Sequence, residues 1–524
     1  MPIIPLPTSI DPSRGVFTLS AETAILADVA NQWNAAYLRD LFQRATGYPL
    51  PLLESESSPQ PVIHLISRPH PELGREGYLL TATPEEVRIE ADNAVGVFYG
   101  IQSLRQLLPV EIEQRAVATN VPWQIPCLVI ADKPRFAWRG HMLDVSRHFQ
   151  PKEVILRTLD LMALQKLNVL HWHVNDDQGW RVEIQQASRL TEVGSWRKGT
   201  KLGLFGKDDG IPHGGFYTQA DIREIVEYAA RRNITIAPEL ETPGHAMAAL
   251  SAYPQVSCTG GPFQVRRGPG ITRDLFCAGK EETFTFLQTV LDELIDLFPS
   301  PFIHIGGDEA PKMRWKACPD CQRRMRQLGL NSAHELQGYF TNRLVAHLEH
   351  HNRRAVIWSD GFAPGLAESV VVQHWIRNRK QLAAEVDKGR DLIVSTHGRT
   401  YLDQSYSYIS LRKAYEFDPV FPEVADPESS HILGVEAPLW SEWVPTPARM
   451  DYQVYPRLTA IAERGWTMKQ HSNYADFRQR LAGFLRRLDL LGVKYAPLDA
   501  VDPSWIKQKL GLFTVIQPKN RVRE

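Results

Sequence analysis

The rhythm of hydrophobic and polar positions changes once along this chain, near Asp132. Before that point, Tyr78 to Thr83 and Val87 to Ala91 alternate around a Pro-Glu-Glu turn, which predicts a β-hairpin. Val97, Phe98, Ile101, Leu104 and Leu108 then recur at helical spacing and stop at Pro109. Strands mixed with helices over 1–131 predict a small α+β domain, and with no polar constellation in it, its expected role is structural.

Beyond Asp132, short apolar runs alternate with longer amphipathic ones, the sequence form of a parallel β/α array. The predicted strands are His141 to Val145, Val169 to Val174, Thr235 to Leu240, Phe302 to Ile305, Ala355 to Trp358, Val370 to Gln373, Leu392 to Ser395 and Ile432 to Glu436. Eight of them predict an α/β fold, a closed (β/α)8 TIM barrel over 132–500, followed by a C-terminal tail over 501–524. Helix starts fit between them. Thr218 with Asp221 makes a capping box, and Pro151 suits a first helical position.

Such barrels build their sites at the C-terminal ends of the strands. The side chains just past the predicted strands are Arg147, then Asp176 and Asp177, Glu241 and His245, and Asp308 and Glu309. Trp358 with Asp360, Trp375, Tyr401 with Asp403, and Trp440 with Glu442 complete the rim. Aromatics that stack on C–H faces, beside carboxylates and an arginine for hydroxyls, suit a pyranose pocket.

Composition narrows the partners. The 524 residues are 43% hydrophobic and 23% charged, with a formal net charge of −1. That gives no electrostatic footprint for nucleic acid or an anionic membrane. No stretch is apolar enough to span a bilayer. Met1 to Pro7 lacks a basic n-region and an apolar h-region, so no secretory signal is expected and the expected location is cytoplasmic. Five cysteines are too few for a disulfide scaffold. Cys318-Pro319-Asp320-Cys321 is half of a zinc pattern with no second pair at suitable spacing, so a helix-start turn with free thiols is expected and no metal. Cys258 and Cys277 flank a Gly/Pro/Arg-rich loop and would pair only in an oxidising compartment.

The densest signal is His304-Ile305-Gly306-Gly307-Asp308-Glu309: an apolar strand ending in two glycines and two adjacent carboxylates. With Ala310 and Trp315 it resembles the catalytic segment of glycoside hydrolase family 20, the β-N-acetylhexosaminidases. Leu143 to Phe149, His173 to Trp180, Pro238 to His245 and Gly434 to Glu442 resemble further family motifs in the expected order, and the segment before them resembles the family's accessory domain.

The resemblance implies an exo-acting, retaining hydrolase of terminal β-linked N-acetylglucosamine or N-acetylgalactosamine that uses no cofactor. The substrate's acetamido oxygen would attack the anomeric carbon. It implies Glu309 as general acid and base, Asp308 as partner of the acetamido N–H, and Tyr401 as donor to the acetamido oxygen. Trp358, Trp375 and Trp440 would wall the pocket, Arg147 and Glu442 would bind hydroxyls, and Asp403 would take the far edge. Asp176 and His245 join the binding set as supports of the acid. Two departures stand out. Family members often carry a further tryptophan between Tyr401 and the last strand, where this chain offers Tyr406, Tyr408 and Tyr415, and Glu241 stands where many have Asp. Two rivals stay open: a metal-dependent barrel hydrolase using His171 and His173, and a non-catalytic carbohydrate-binding relative. The sequence also leaves a homodimer open.

Overall fold

In the computed structural model, which describes residues 2–53, 61–201, 206–427 and 431–511, the chain forms two compact units. The first draws on Met1–Arg139, Leu161–Leu167 and Tyr455–Pro497. It contains a seven-stranded sheet made of β1 (Ser9–Thr18), β2 (Ala24–Ala27), β3 (Leu52–Leu53), β4 (Val62–Ser67), β5 (Tyr78–Ala82), β6 (Glu86–Ala91) and β7 (Gln124–Asp132), ordered β1-β7-β5-β6-β4-β2-β3. The predicted hairpin is β5–β6, antiparallel with Leu80 opposite Ile89. The predicted helix runs Ala94–Leu107, capped by the Asn93 side chain on the Val95 N–H. Inside this unit Lys166 and Asp132 form a fully buried ion pair at 2.9 Å, with the Tyr78 hydroxyl donating to the same carboxylate at 2.7 Å.

The second unit draws on Gly140–Asp160, Asn168–Val454 and Leu498–Glu524. Its centre is the eight-stranded parallel barrel: β8 (Trp138–Asp144, of which Gly140–Asp144 belong to this unit), β9 (Val169–His173), β10 (Thr235–Thr242), β11 (Phe302–Gly306), β12 (Arg354–Trp358), β13 (Val371–His374), β14 (Leu392–Val394) and β15 (Ile432–Leu439). Each overlaps one predicted run. β10 pairs with β9 from Thr235–Val169 to Glu239–His173, and with β11 through Glu239 and His304. The Thr218–Asp221 capping box is present. Pro151 lies one residue before the helix Lys152–Leu164, its carbonyl accepting the Val154 N–H at 3.0 Å. Past the barrel, Trp505–Gly511 is helical, and residues 512–524 of the predicted tail lie outside the described residues.

The barrel interior departs from the usual aliphatic filling. Side chains of one strand alternate across it, so His171 and His173 face inward while Trp172 packs outward against Tyr217 and Phe298. His141, Glu239, His304, Gln373 and Glu436 join the two inward histidines, all buried. That polar floor lies directly below the candidate site.

Candidate active site

The turn that presents the two carboxylates depends on glycine. Gly306 has φ +68°, and a Cβ there would stand 2.0 Å from Glu241 Oε1. Its N–H donates to His304 Nδ1 at 3.0 Å, and the Gly307 N–H donates to Glu241 Oε1 at 3.3 Å. The long side chain of Glu241 thus fills the space against the turn. Glu309 itself holds φ +44°, a left-handed conformation that costs about 1–3 kcal/mol in a non-glycine residue and clusters at functional sites. Asp360 helps hold it by accepting the Glu309 N–H at 2.8 Å.

A cavity of about 240 Å³ opens above the barrel. Ten of the eleven predicted site residues line it: Asp308, Glu309 and His245 from the loops after β11 and β10, Arg147 after β8, and Trp358, Trp375, Tyr401, Asp403, Trp440 and Glu442 from later strand ends. The eleventh, Asp176, lies behind the wall. It is buried, with its carboxylate 2.6 Å from Arg147, 3.1 Å from His173 and 3.2 Å from His245, so it acts on the cavity through them.

The aromatic walls brace one another. Trp375 and Tyr401 stack at 6.2 Å, Trp358 and Trp440 lie 5.8 Å apart, and the Arg147 guanidinium sits 4.8 Å over the Trp440 ring. Asp360 accepts the Trp375 Nε1–H at 2.8 Å, tying that wall to the Glu309 backbone. Three lining residues escaped the sequence reading: His397, Gln404 and Trp443. Trp443 directly follows Glu442 and could have been found as the next aromatic of the same motif. Tyr406, Tyr408 and Tyr415 do not line this cavity. The further aromatic comes instead from beyond the last strand.

Burial, reinforced by the charges of Asp360, Glu239 and Glu309, pushes the Asp308 carboxyl up to about 7, against the opposing pull of His245. His245 Nε2 lies 3.8 Å from Asp308 and 3.5 Å from Glu309. Its own burial disfavours the cation, but Asp176 with Glu309 and Asp308 raises it well above an ordinary histidine. Burial likewise opposes ionised Asp176, and Arg147, His245 and His173 overcome it. The support is therefore a charged imidazolium–carboxylate pair that offsets the negative charge gathered at the turn.

Below, His171 contacts Glu436 at 2.8 Å and Glu239 at 3.1 Å, and His173 contacts Glu239 and Asp176. Burial opposes their protonation, yet these carboxylates raise His171 to about 9 and His173 to about 10. Trp358 Nε1–H adds a bond to Glu239 at 2.7 Å. A metal ligand must offer a free imidazole lone pair. Both nitrogens of each ring face carboxylates as donors, so the two histidines suit a floor better than a metal centre.

A family model described as "Glycosyl hydrolase family 20, catalytic domain" matches residues 136–469, and its "domain 2" matches 1–133. The chain belongs to glycosyl hydrolase family 20. Among relatives of this family 20 chain, a β-hexosaminidase of Porphyromonas gingivalis is 40% identical over 94% of the chain, which spans 64% of that longer protein. The family 20 β-N-acetylhexosaminidase structure from Streptomyces coelicolor superimposes with a TM-score of 0.84 at 34% identity, covering 96% of this chain and 99% of that one. A mutant Streptomyces plicatus β-hexosaminidase in complex with its product GlcNAc gives 0.82 at 32% identity, covering 96% and 98%. No helix among the described residues is long and apolar enough to cross a membrane.

Proposed function

We propose that this chain is a retaining exo-β-N-acetylhexosaminidase that removes a terminal β-linked 2-acetamido sugar through attack by the substrate's own acetamido oxygen. The observation that carries this reading is the pairing of Asp308 and Glu309 on one turn, both within 4 Å of the same His245 Nε2. Ordinary glycosidases set two carboxyl groups on opposite sides of the scissile bond, about 5–9.5 Å apart. Two acids sharing one imidazole stand on the same side. One can protonate the leaving oxygen while its neighbour serves the acetamido group.

In this reading Glu309, the more exposed of the two, donates its proton to the glycosidic oxygen and later takes one from water. Ionised Asp308 accepts the acetamido N–H and stabilises the positive charge that grows as the oxazolinium forms. The Tyr401 hydroxyl donates to the acetamido oxygen and fixes its approach. Trp358, Trp375 and Trp440 enclose ring and methyl. Arg147 and Glu442 hold hydroxyls, with Asp403 at the far edge. The relatives' names and the GlcNAc bound to the S. plicatus protein support the same substrate class.

The test is a panel of β-linked aryl glycosides. N-acetylglucosaminides or N-acetylgalactosaminides should turn over orders of magnitude faster than glucosides and galactosides. The first product should be the β anomer, and a thiazoline mimic of the bicyclic intermediate should inhibit competitively. A sugar trapped covalently on an Asp or Glu, or glucoside rates comparable to those of the acetamido sugar, would overturn the reading.

A further inference from the structure

Four of the five cysteines converge at one point in the barrel unit. Cys258 Sγ lies 3.8 Å from Cys321 Sγ, and Cys277 Sγ lies 3.7 Å from Cys318 and 3.6 Å from Cys321. All four sulfurs lie within 4.8 Å of one another. A disulfide needs about 2.05 Å, so these are not bonded pairs, and the conditional Cys258–Cys277 bridge is not formed. Four thiolates around one zinc at about 2.3 Å stand about 3.8 Å apart along the edges of a tetrahedron. The observed spacings match that figure. A polynuclear iron–sulfur cluster would hold its cysteine sulfurs further apart.

The backbone is arranged for the same purpose. Cys318 precedes the helix Pro319–Leu328 and Cys321 lies in its first turn, the CxxC knuckle of thiolate metal sites. The opposing loop is pressed onto that knuckle: a Cβ on Gly279 would stand 2.2 Å from the Asp320 carbonyl carbon and 2.3 Å from the Cys321 nitrogen. Ser257 bridges to Phe276, and the Phe276 carbonyl accepts the Trp315 Nε1–H at 2.9 Å, so Cys258 and Cys277 are delivered beside the knuckle by fixed chain. Three of the sulfurs belong to buried residues and only Cys258 is partly open. The second pair missing from the sequence pattern is thus supplied by a loop whose two cysteines are brought together by the fold.

We propose that Cys258, Cys277, Cys318 and Cys321 bind one zinc ion that fastens the loop after β10 to the segment after Glu309. Each thiol gives up its proton on ligation, and the four sulfurs fill the coordination sphere, leaving no position for substrate or water. The site is structural. It joins the chain downstream of His245 to the chain downstream of Asp308 and Glu309, and the same loop reaches back through the Arg266 N–H to the Asp177 carbonyl at 3.0 Å.

The experiment is metal analysis of the full chain purified without metal-affinity resin. One zinc per chain is expected, released stoichiometrically when an organomercurial titrates four thiols. Growth on cobalt should give the thiolate-to-metal charge-transfer band and intense d–d bands of a tetrahedral Co(II)–thiolate centre. The C318S/C321S double variant should lose the metal and melt at a lower temperature. Because the wild-type content and the cobalt spectrum decide the matter alone, a variant that fails to fold leaves the test intact. Wild-type protein with no stoichiometric zinc and all five thiols free, a disulfide within the quartet, or full zinc retention by the double variant would each overturn the assignment. None of these readouts depends on glycosidase activity, so their failure is separable from that of the proposed reaction.

Discussion

Replacing Asp308 by Asn should stabilise the protein while disabling it. The Asp308 side chain is 13% exposed, and its carboxyl is pushed from 3.8 up to about 7, first by burial and then by the neighbouring carboxylates. The displacement from 3.8 to about 7 corresponds to about 4 kcal/mol. Its sign follows from proton binding. Between pH 3.8 and about 7 the folded state holds a proton that the unfolded state has lost, so stability falls as pH rises through that window. Below it neither state is ionised and there is no penalty. Above it the penalty is complete. Asn is neutral throughout, so Asp308→Asn should exceed wild type by about 2–4 kcal/mol near pH 8 and match it near pH 4. Urea unfolding at both pH values measures the gap. The same variant should lose about 10²–10³ in kcat on an N-acetylglucosaminide, because the charge that stabilises the intermediate is gone. A pH-independent gap, or an Asn variant weaker than wild type near pH 8, would refute the reasoning.

Glu309→Gln keeps the shape but cannot donate a proton, so hydrolysis of a natural disaccharide should fall by at least about 10³, with ligand affinity within a few-fold by calorimetry. Near-wild-type turnover of that disaccharide removes Glu309 from the role. Tyr401→Phe should lower kcat by about 10–100-fold with little change in KM, since only the aim of the acetamido oxygen is lost; steady-state kinetics separates the two constants. Gly306→Ala meets Glu241 at 2.0 Å from a left-handed backbone, so a loss of about 1–3 kcal/mol by thermal melting and a matching fall in kcat are expected. An Ala variant with wild-type melting would show that the turn has room the distances deny.

The eight barrel strands were legible because each is a short apolar run between amphipathic helices, and the rim was legible because strand ends are where such barrels keep their chemistry. Arg147, His245, Trp375, Tyr401 and Glu442 could be placed near one another on that rule alone. The floor could not. His171 and His173 looked like a metal-binding face because their spacing records only that they share a side of β9, not that Glu239 and Glu436 arrive from other strands to occupy them. Asp176 was legible as a rim acid, but its place behind Arg147 and His245 is a tertiary fact. The cysteine quartet hid for the same reason, since Cys277 and Cys318 are 41 residues apart and no local pattern links them.

The charged floor also governs how a barrel of this kind can change. Glu239 answers to His171, His173 and Trp358 together, and Glu436 to His171 and Gln373, so none of the charged members can be exchanged alone without stranding a buried charge at about 3–5 kcal/mol. Such positions drift only in concert: a saturation library should find neither His171 nor Glu239 replaceable singly, and exchanging the two together still leaves Glu436 and His173 short of a partner. His397 opens the short helix His397–Thr400, and Gln404 and Trp443 follow on loops, all three lining the cavity past the strand ends. Substitutions can therefore be tried one residue at a time at the rim, while the machinery beneath is inherited whole.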